Sequence, residues 1–251
     1  MNFLFIHWNV NPEVIDGWNT PRWYGLLFAL GFIIGYRIVQ KMFKAEGVPE
    51  KWLDQLLLYV MIATVVGARL GHVFFYDWEY YSHHLGEIPQ IWKGGLASHG
   101  GAIGIIIALA LYSKWVSKKS ILWILDRVVV PIALAGVCIR LGNLMNSEIV
   151  GKPTDLPWGF IFERYPGDET PRPRHPEQLY ESFAYLVIFV LLYYMYWKTK
   201  DKEYSGLIFG TFLAILFTAR FVIEFFKAGQ AVRDAELAIN TGQILSIPLV
   251  L

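Results

Sequence analysis

Charge is scarce in this chain, and cysteine is nearly absent. Only 17% of its 251 residues are Asp, Glu, Lys or Arg, while 55% are apolar; a soluble domain carries about 25% charge. The composition therefore points to lipid rather than water as the main solvent. The formal net charge is +1, so there is no broad basic field to hold nucleic acid. Cys138 is the one cysteine, which excludes an internal disulfide and any multi-cysteine metal site. The first twenty residues hold Glu13 and Asp16 and lack a basic segment before an apolar core. No cleaved leader is expected, and the first apolar segment should stay in the mature protein. Internal repeats, Gly/Ser linkers and low-complexity tracts are also missing, so residues 1–251 read as a single integral-membrane domain.

Long apolar segments are what the chain has in quantity. A helix needs roughly 20 mainly apolar residues to cross the hydrocarbon core. Such segments lie near 23–42, 54–76, 96–114, 121–142, 178–197 and 206–227, and a seventh begins near Gln243. The expected fold is all-α, a polytopic membrane helix bundle of about seven transmembrane helices. Lysine-rich loops, KMFKAEG, SKWVSKKS and KTKDKEYS, follow the first, third and fifth spans. The positive-inside rule makes them cytoplasmic and puts the N-terminus outside. The connection near 144–177 is then outside too. Its prolines, Pro153, Pro157, Pro166, Pro171, Pro173 and Pro176, predict a small irregular periplasmic head rather than a helix. Gly31/Gly35, Gly67/Gly71 and Gly100/Gly104 repeat the small-xxx-small spacing that lets helices approach closely.

Ionisable residues inside a span are costly, so their placement is informative. Arg37, Asp126 and Arg127 fall near cytoplasmic ends, where they can snorkel or pair locally. The others converge on the opposite side: Tyr24 on helix 1, Arg69 on helix 2, His99 on helix 3, Arg140 on helix 4, and Arg220 with Glu224 on helix 6. Five helices sending polar groups to one depth imply a polar cavity facing the outer leaflet. Arg220 and Glu224 stand at i, i+4, with Lys227 three residues further on, and are expected to pair. Arg140 and Asn143 share a face at i, i+3. Arginine in excess of carboxylate suits an anionic ligand, and a guanidinium fits phosphate through two parallel hydrogen bonds. In an outer-leaflet cavity, that ligand is a phospholipid headgroup. His99 is poised to move a proton near neutral pH, and Gly100 and Gly101 beside it are expected to leave room for a substrate. His7, His72, His83 and His84 form no metal-ligand pattern. Neither metal nor organic cofactor is expected.

Several blocks of the sequence resemble the prolipoprotein diacylglyceryl transferases of bacterial inner membranes. The family signature R-x-G-N-F-x-N-x-E-x-x-G is matched by Arg140, Gly142, Asn143, Asn146, Glu148 and Gly151. RWYG, GARLGHVFFY, SHGGAIG, RHPEQLYE, RFVIEFFK and GQILSIP match further blocks in order, so the resemblance covers essentially the whole chain. Ile139, Leu144, Leu216 and Lys227 depart from the family pattern, which has glycine, phenylalanine, tyrosine and arginine at those places. The resemblance implies transfer of the diacylglyceryl group of phosphatidylglycerol to the lipobox cysteine of a prolipoprotein, with release of glycerol 1-phosphate. It implies a multi-pass protein of the bacterial inner membrane, its active site toward the outer leaflet. It assigns function to Tyr24, His99, Arg140, Asn143, Glu148, Arg220 and Glu224. Of these, His99, Arg140 and Arg220 are the expected catalytic residues. Tyr24, Asn143, Asn146, Glu148, Glu224, Arg69, Lys227, Gly100 and Gly101 are the expected substrate-binding set. Cys138 reads as a small apolar packing residue, because the attacking thiol belongs to the substrate. The competing reading is an outward-facing lipid-binding protein or transporter, against which stand the absence of repeats and a polar cluster away from the midplane.

Overall fold

A computed structural model describes residues 5–18, 20–91, 94–95 and 97–227. The expected seventh helix near Gln243 lies outside the described residues. Seven α-helices are present among them: α1 (Trp23–Ala45), α2 (Glu50–Phe75), the short α3 (Trp78–His83), α4 (Ser98–Tyr112), α5 (Ile121–Met145), α6 (Glu177–Lys198) and α7 (Leu207–Ile223). A π-helical turn, Ser113–Ser117, extends α4. All except α3, with these extensions, are long and apolar enough to cross a membrane, giving six spans among the described residues. The protein is a multi-pass helical membrane protein.

The chain forms two compact units, Ile38–Leu125 and the combination of Met1–Arg37 with Asp126–Leu251. In the first of these, α2 and α4 are pressed together through glycines. A Cβ on Gly67 would fall 2.5 Å from the Gly100 carbonyl oxygen, and one on Gly71 would fall 2.6 Å from the Gly100 Cα. Only glycine permits that backbone approach. Leu58, Ile62, Val66, Ile103 and Ile107 are exposed on the same helices, as expected of faces solvated by lipid.

In the other unit, Gly31 and Gly35 set α1 against Ala135 and Pro131 of α5, and α6 packs on α7. The Asp126 carboxylate accepts from the Gly206 and Phe209 amides at 2.6 and 2.8 Å, so a residue of α5 caps the start of α7. The connection between α5 and α6 is not wholly irregular. It contributes β2 (Phe160–Phe162) and β3 (Pro173–Arg174) to a three-stranded sheet whose third member is β1 (Ile6–Trp8), in the order β1-β2-β3. β1 runs parallel to β2 with Ile6 opposite Phe160, and β2 antiparallel to β3. Leu144, Val150, Phe160 and Phe162 form the core beneath, with Trp8, Tyr165 and Leu179 against it. The Trp8 indole donates to the Leu144 carbonyl at 2.9 Å, which fixes this sheet over the end of α5.

Candidate active site

The sheet stands at the end of its unit where α5 finishes, α6 begins and α7 finishes, and polar side chains collect there. Arg140 forms an ion pair through Nε with Glu181 on α6. Its Nη1 donates to Asn143 Oδ1 at 3.1 Å. Asn143 in turn donates to Glu148 Oε1 at 2.8 Å, and Asn146 donates to the same oxygen at 3.2 Å. This relay fixes the Asn143 amide orientation, with oxygen toward the guanidinium and nitrogen toward the carboxylate. Tyr24, at the start of α1, lies against the same turn of α5. A Cβ on Gly142 would sit 2.7 Å from the Tyr24 ring, so the glycine between Arg140 and Asn143 admits the tyrosine.

The second cation of the group is Lys227. Its Nζ lies 3.7 Å from Glu177 Oε1 and 3.9 Å from Glu224 Oε2, and all three side chains are nearly or fully buried. The expected partner of Glu224 was Arg220; the structure gives Glu224 an ion pair with Lys227. Arg220 instead lines a narrow cleft with Glu181, Tyr185 and Leu216. Besides Glu177, the carboxylate that sequence reasoning missed is Glu181. It stands inside an apolar span four residues after Glu177, so the rule that singled out Arg220 and Glu224 could have found it.

The turn that carries Asn146 and Glu148 is held in an uncommon backbone. Ser147 and Ile149 have φ of 51° and 57°, left-handed values that cost of order 1–3 kcal/mol each and are disfavoured most for a β-branched side chain. Hydrogen bonds oppose that cost. The Glu148 amide donates to the Asn143 carbonyl at 3.1 Å, and Gln178 Nε2 donates to the Glu148 carbonyl at 2.6 Å. Downstream, Arg174 grips Asp168 through Nε and Nη2 at 2.7 and 2.5 Å and donates from Nη1 to the Gly151 carbonyl at 2.9 Å. The Arg174 guanidinium holds the Asp168 carboxyl below its usual range. His175 Nδ1 lies 3.1 Å from the Tyr180 hydroxyl, which accepts the Trp158 indole N–H at 3.0 Å. A tyrosine proton directed to Nδ1 would leave Nε2 protonated in the neutral ring. Burial lowers the His175 imidazole below its ordinary value, which favours that neutral form.

The remaining expected site residues belong to the Ile38–Leu125 unit. His99 is exposed on the first turn of α4. Arg69 is buried, and its donors are taken by its own surroundings: Nε by the Ile88 carbonyl, Nη2 by Glu87, and Nη1 by Gly94 and Gly95, at 2.7, 2.8, 2.7 and 3.3 Å. Its guanidinium also lies 4.9 Å from the Tyr81 ring centre. Arg69 thus closes the loop after α3 and is not placed to read a headgroup. Gly100 likewise opens no room for a substrate, because a Cβ there would strike the Gly67 carbonyl and the Gly71 backbone. Gly101 is less constrained, its nearest neighbour being the Thr64 carbonyl at 3.5 Å from such a Cβ.

The sequence matches a known family. The family model described as prolipoprotein diacylglyceryl transferase matches residues 15–251. The phosphatidylglycerol–prolipoprotein diacylglyceryl transferase of Tolumonas auensis is 49% identical over 247 residues, covering 98% of this chain and 94% of its own. The proteins of the same name from Chloroherpeton thalassium and Porphyromonas gingivalis are 47% and 49% identical over 248 and 259 residues. Each covers 98% of this chain, and 91% and 92% of its own length respectively. These relatives favour a transferase over a transporter. The chain belongs to the prolipoprotein diacylglyceryl transferase family.

Proposed function

We propose that this protein transfers the diacylglyceryl group of phosphatidylglycerol to the lipobox cysteine of a prolipoprotein, at the outer leaflet of the bacterial inner membrane. The observation that carries the residue assignment is the chain of contacts Glu181–Arg140–Asn143–Glu148. It presents a guanidinium whose orientation is fixed before any substrate arrives. Nε is committed to Glu181 and one Nη1 hydrogen to Asn143, while the outer edge formed by Nη1 and Nη2 is directed to a phosphate.

In the reaction the substrate thiol gives up its proton, and the thiolate attacks the glyceryl carbon that bears the phosphate ester. A carbon–sulfur bond forms as the carbon–oxygen bond breaks, and its electron pair leaves on the phosphate oxygen of glycerol 1-phosphate. Charge grows on that phosphate, and fixed cations in a dry site stabilise it more than mobile water does. Arg140 and Arg220 fill this role, with Glu181 beside both. Asn143, Asn146 and Glu148 hold the rim, Tyr24 orients the headgroup, and Lys227 attracts it by charge. The thiol proton goes to His99, or directly to water where an arginine lowers the thiol's pKa enough to dispense with a base. The test is the pH profile of transfer in His99→Gln, and an unchanged profile with unchanged activity removes His99 from that role.

The reading as a whole is tested with purified protein, phosphatidylglycerol and a lipobox peptide. Thioether formation and glycerol phosphate release should appear in equal amounts. Intact phosphatidylglycerol after incubation with folded protein would refute it.

A further inference from the structure

Among the described residues, the polar group at the α5–α6–α7 end contains more carboxylate than it needs to neutralise its cations. Glu148, Glu177, Glu181 and Glu224 face Arg140, Arg220 and Lys227, four acids to three bases. Three of the acids meet amide donors, a guanidinium or an ammonium. Glu148 accepts two amide N–H groups, Glu181 meets the Arg140 guanidinium, and Glu224 lies beside Lys227. Glu177 differs. It is fully buried, neither of its oxygens accepts a hydrogen bond among the described residues, and its ion-pair contact, Lys227 at 3.7 Å, is shared with Glu224 at 3.9 Å. Its electrostatic surroundings are Lys227 and Glu224 from the end of α7, Arg140 from α5, and Glu181 on its own helix.

We propose that Glu177 is a positioning residue that takes up one proton when the anionic headgroup binds and releases it when the product leaves. Its family motif gives it no part in the expected site; its isolation within the cluster does. A phosphate entering this group brings a further negative charge to an already acid-rich set, and in a buried site such an excess is relieved by protonating the least supported carboxylate. The step balances: one proton from water joins one Glu177 oxygen as one phosphodiester anion arrives. Neutral Glu177 leaves Lys227 free of that attraction, so the ammonium turns to Glu224 and the phosphate. The inference rests on the transferase reading above, since it takes phosphatidylglycerol as the anion.

The test is calorimetry on the full chain in nanodiscs, titrating short-chain phosphatidylglycerol without peptide in buffers of different ionisation enthalpy from pH 6 to 10. The native protein should take up close to one proton per lipid over part of that range. Because the protonated form is the binding form, the apparent lipid affinity should fall with rising pH, about tenfold per unit across that interval. Glu177→Gln, a fixed neutral amide, should bind without proton uptake and with a flat profile, and Glu177→Asp should restore the slope. Native protein that binds the lipid with no proton uptake at any pH overturns the proposal, even if the Gln variant does not fold. Equal uptake by native and Glu177→Gln overturns it as well. Phosphatidylglycerol bound with proton uptake but never transferred to peptide would instead defeat the transferase reading.

Discussion

Replacing Arg140 with lysine separates phosphate chemistry from plain positive charge. A guanidinium has five N–H donors in one plane. In this structure Nε serves Glu181 and one Nη1 hydrogen serves Asn143, which among the described residues leaves three donors, enough for the two parallel bonds to phosphate that the proposed function requires. Lysine has three donors on a single nitrogen. It can meet Glu181, Asn143 and one phosphate oxygen, but it cannot supply the second phosphate bond or hold the plane. One hydrogen bond to a charged group is worth about 1.5–3 kcal/mol, so Arg140→Lys should lower kcat by about 10- to 150-fold. The bond strengthens as charge develops on the leaving group, and the loss should therefore persist at saturating phosphatidylglycerol rather than appear only in KM. Turnover with a lipobox peptide reads the effect, and thermal unfolding in the same detergent confirms that the variant is folded. A folded Arg140→Lys protein with near-native kcat would refute the leaving-group role and leave Arg140 as an anchor for Glu181.

Gly100→Ala should destabilise the protein by about 1–3 kcal/mol, because its Cβ meets backbone atoms of α2 that cannot swing aside. Gly101→Ala, with ordinary contacts only, should be close to neutral. A Gly100→Ala protein with native thermal stability but impaired transfer would return that residue to a substrate-lining role. Asp168→Asn should cost about 1–3 kcal/mol at neutral pH by leaving Arg174 without its carboxylate. The folded Asp168 carboxyl is lowered by Arg174, so its stabilising effect is present above the unfolded value near pH 4 and fades as pH falls through the lowered one. Melting curves of native and Asp168→Asn protein should therefore converge in acid, and a constant gap across pH would contradict the pairing.

The spans were legible because length and hydropathy alone decide whether a helix can cross a bilayer. The segments expected near 23–42 and 178–197 are observed as Trp23–Ala45 and Glu177–Lys198. The three-stranded sheet was not legible. β1 is only three residues long, and its partner Phe160–Phe162 lies some 150 residues later, so no local alternation marks either strand. The site was partly legible. The spacing of Arg140 and Asn143 gave a contact that exists, at 3.1 Å. The spacing of Arg220 and Glu224 suggested a pair, yet the Glu224 carboxylate lies beside Lys227. Helical spacing says which residues share a face; it does not say which of two cations on that face a carboxylate will choose.

Arginine inside a membrane protein invites a functional reading, and three buried or nearly buried arginines here show how donor accounting decides it. Arg69 makes four hydrogen bonds to main-chain carbonyls of one loop. Its Nε, Nη1 and Nη2 are all engaged there, so the side chain is consumed in closing the loop. Arg174 gives two donors to one buried carboxylate and a third to a carbonyl; its charge is neutralised on the spot, and it ties the sheet to the Gly151 turn. Arg140 is ion-paired too, with Glu181, but differs in the donors left over. Nε and one Nη1 hydrogen are engaged, the other donors meet no partner among the described residues, and the Glu181 carboxylate that faces it also lines the cleft with Arg220. Location in an apolar helix is common to Arg69 and Arg140 and cannot distinguish them. What distinguishes them is the remainder of N–H groups after local demands are met, and only a guanidinium with such a remainder can greet a phosphate without first breaking the structure that positions it.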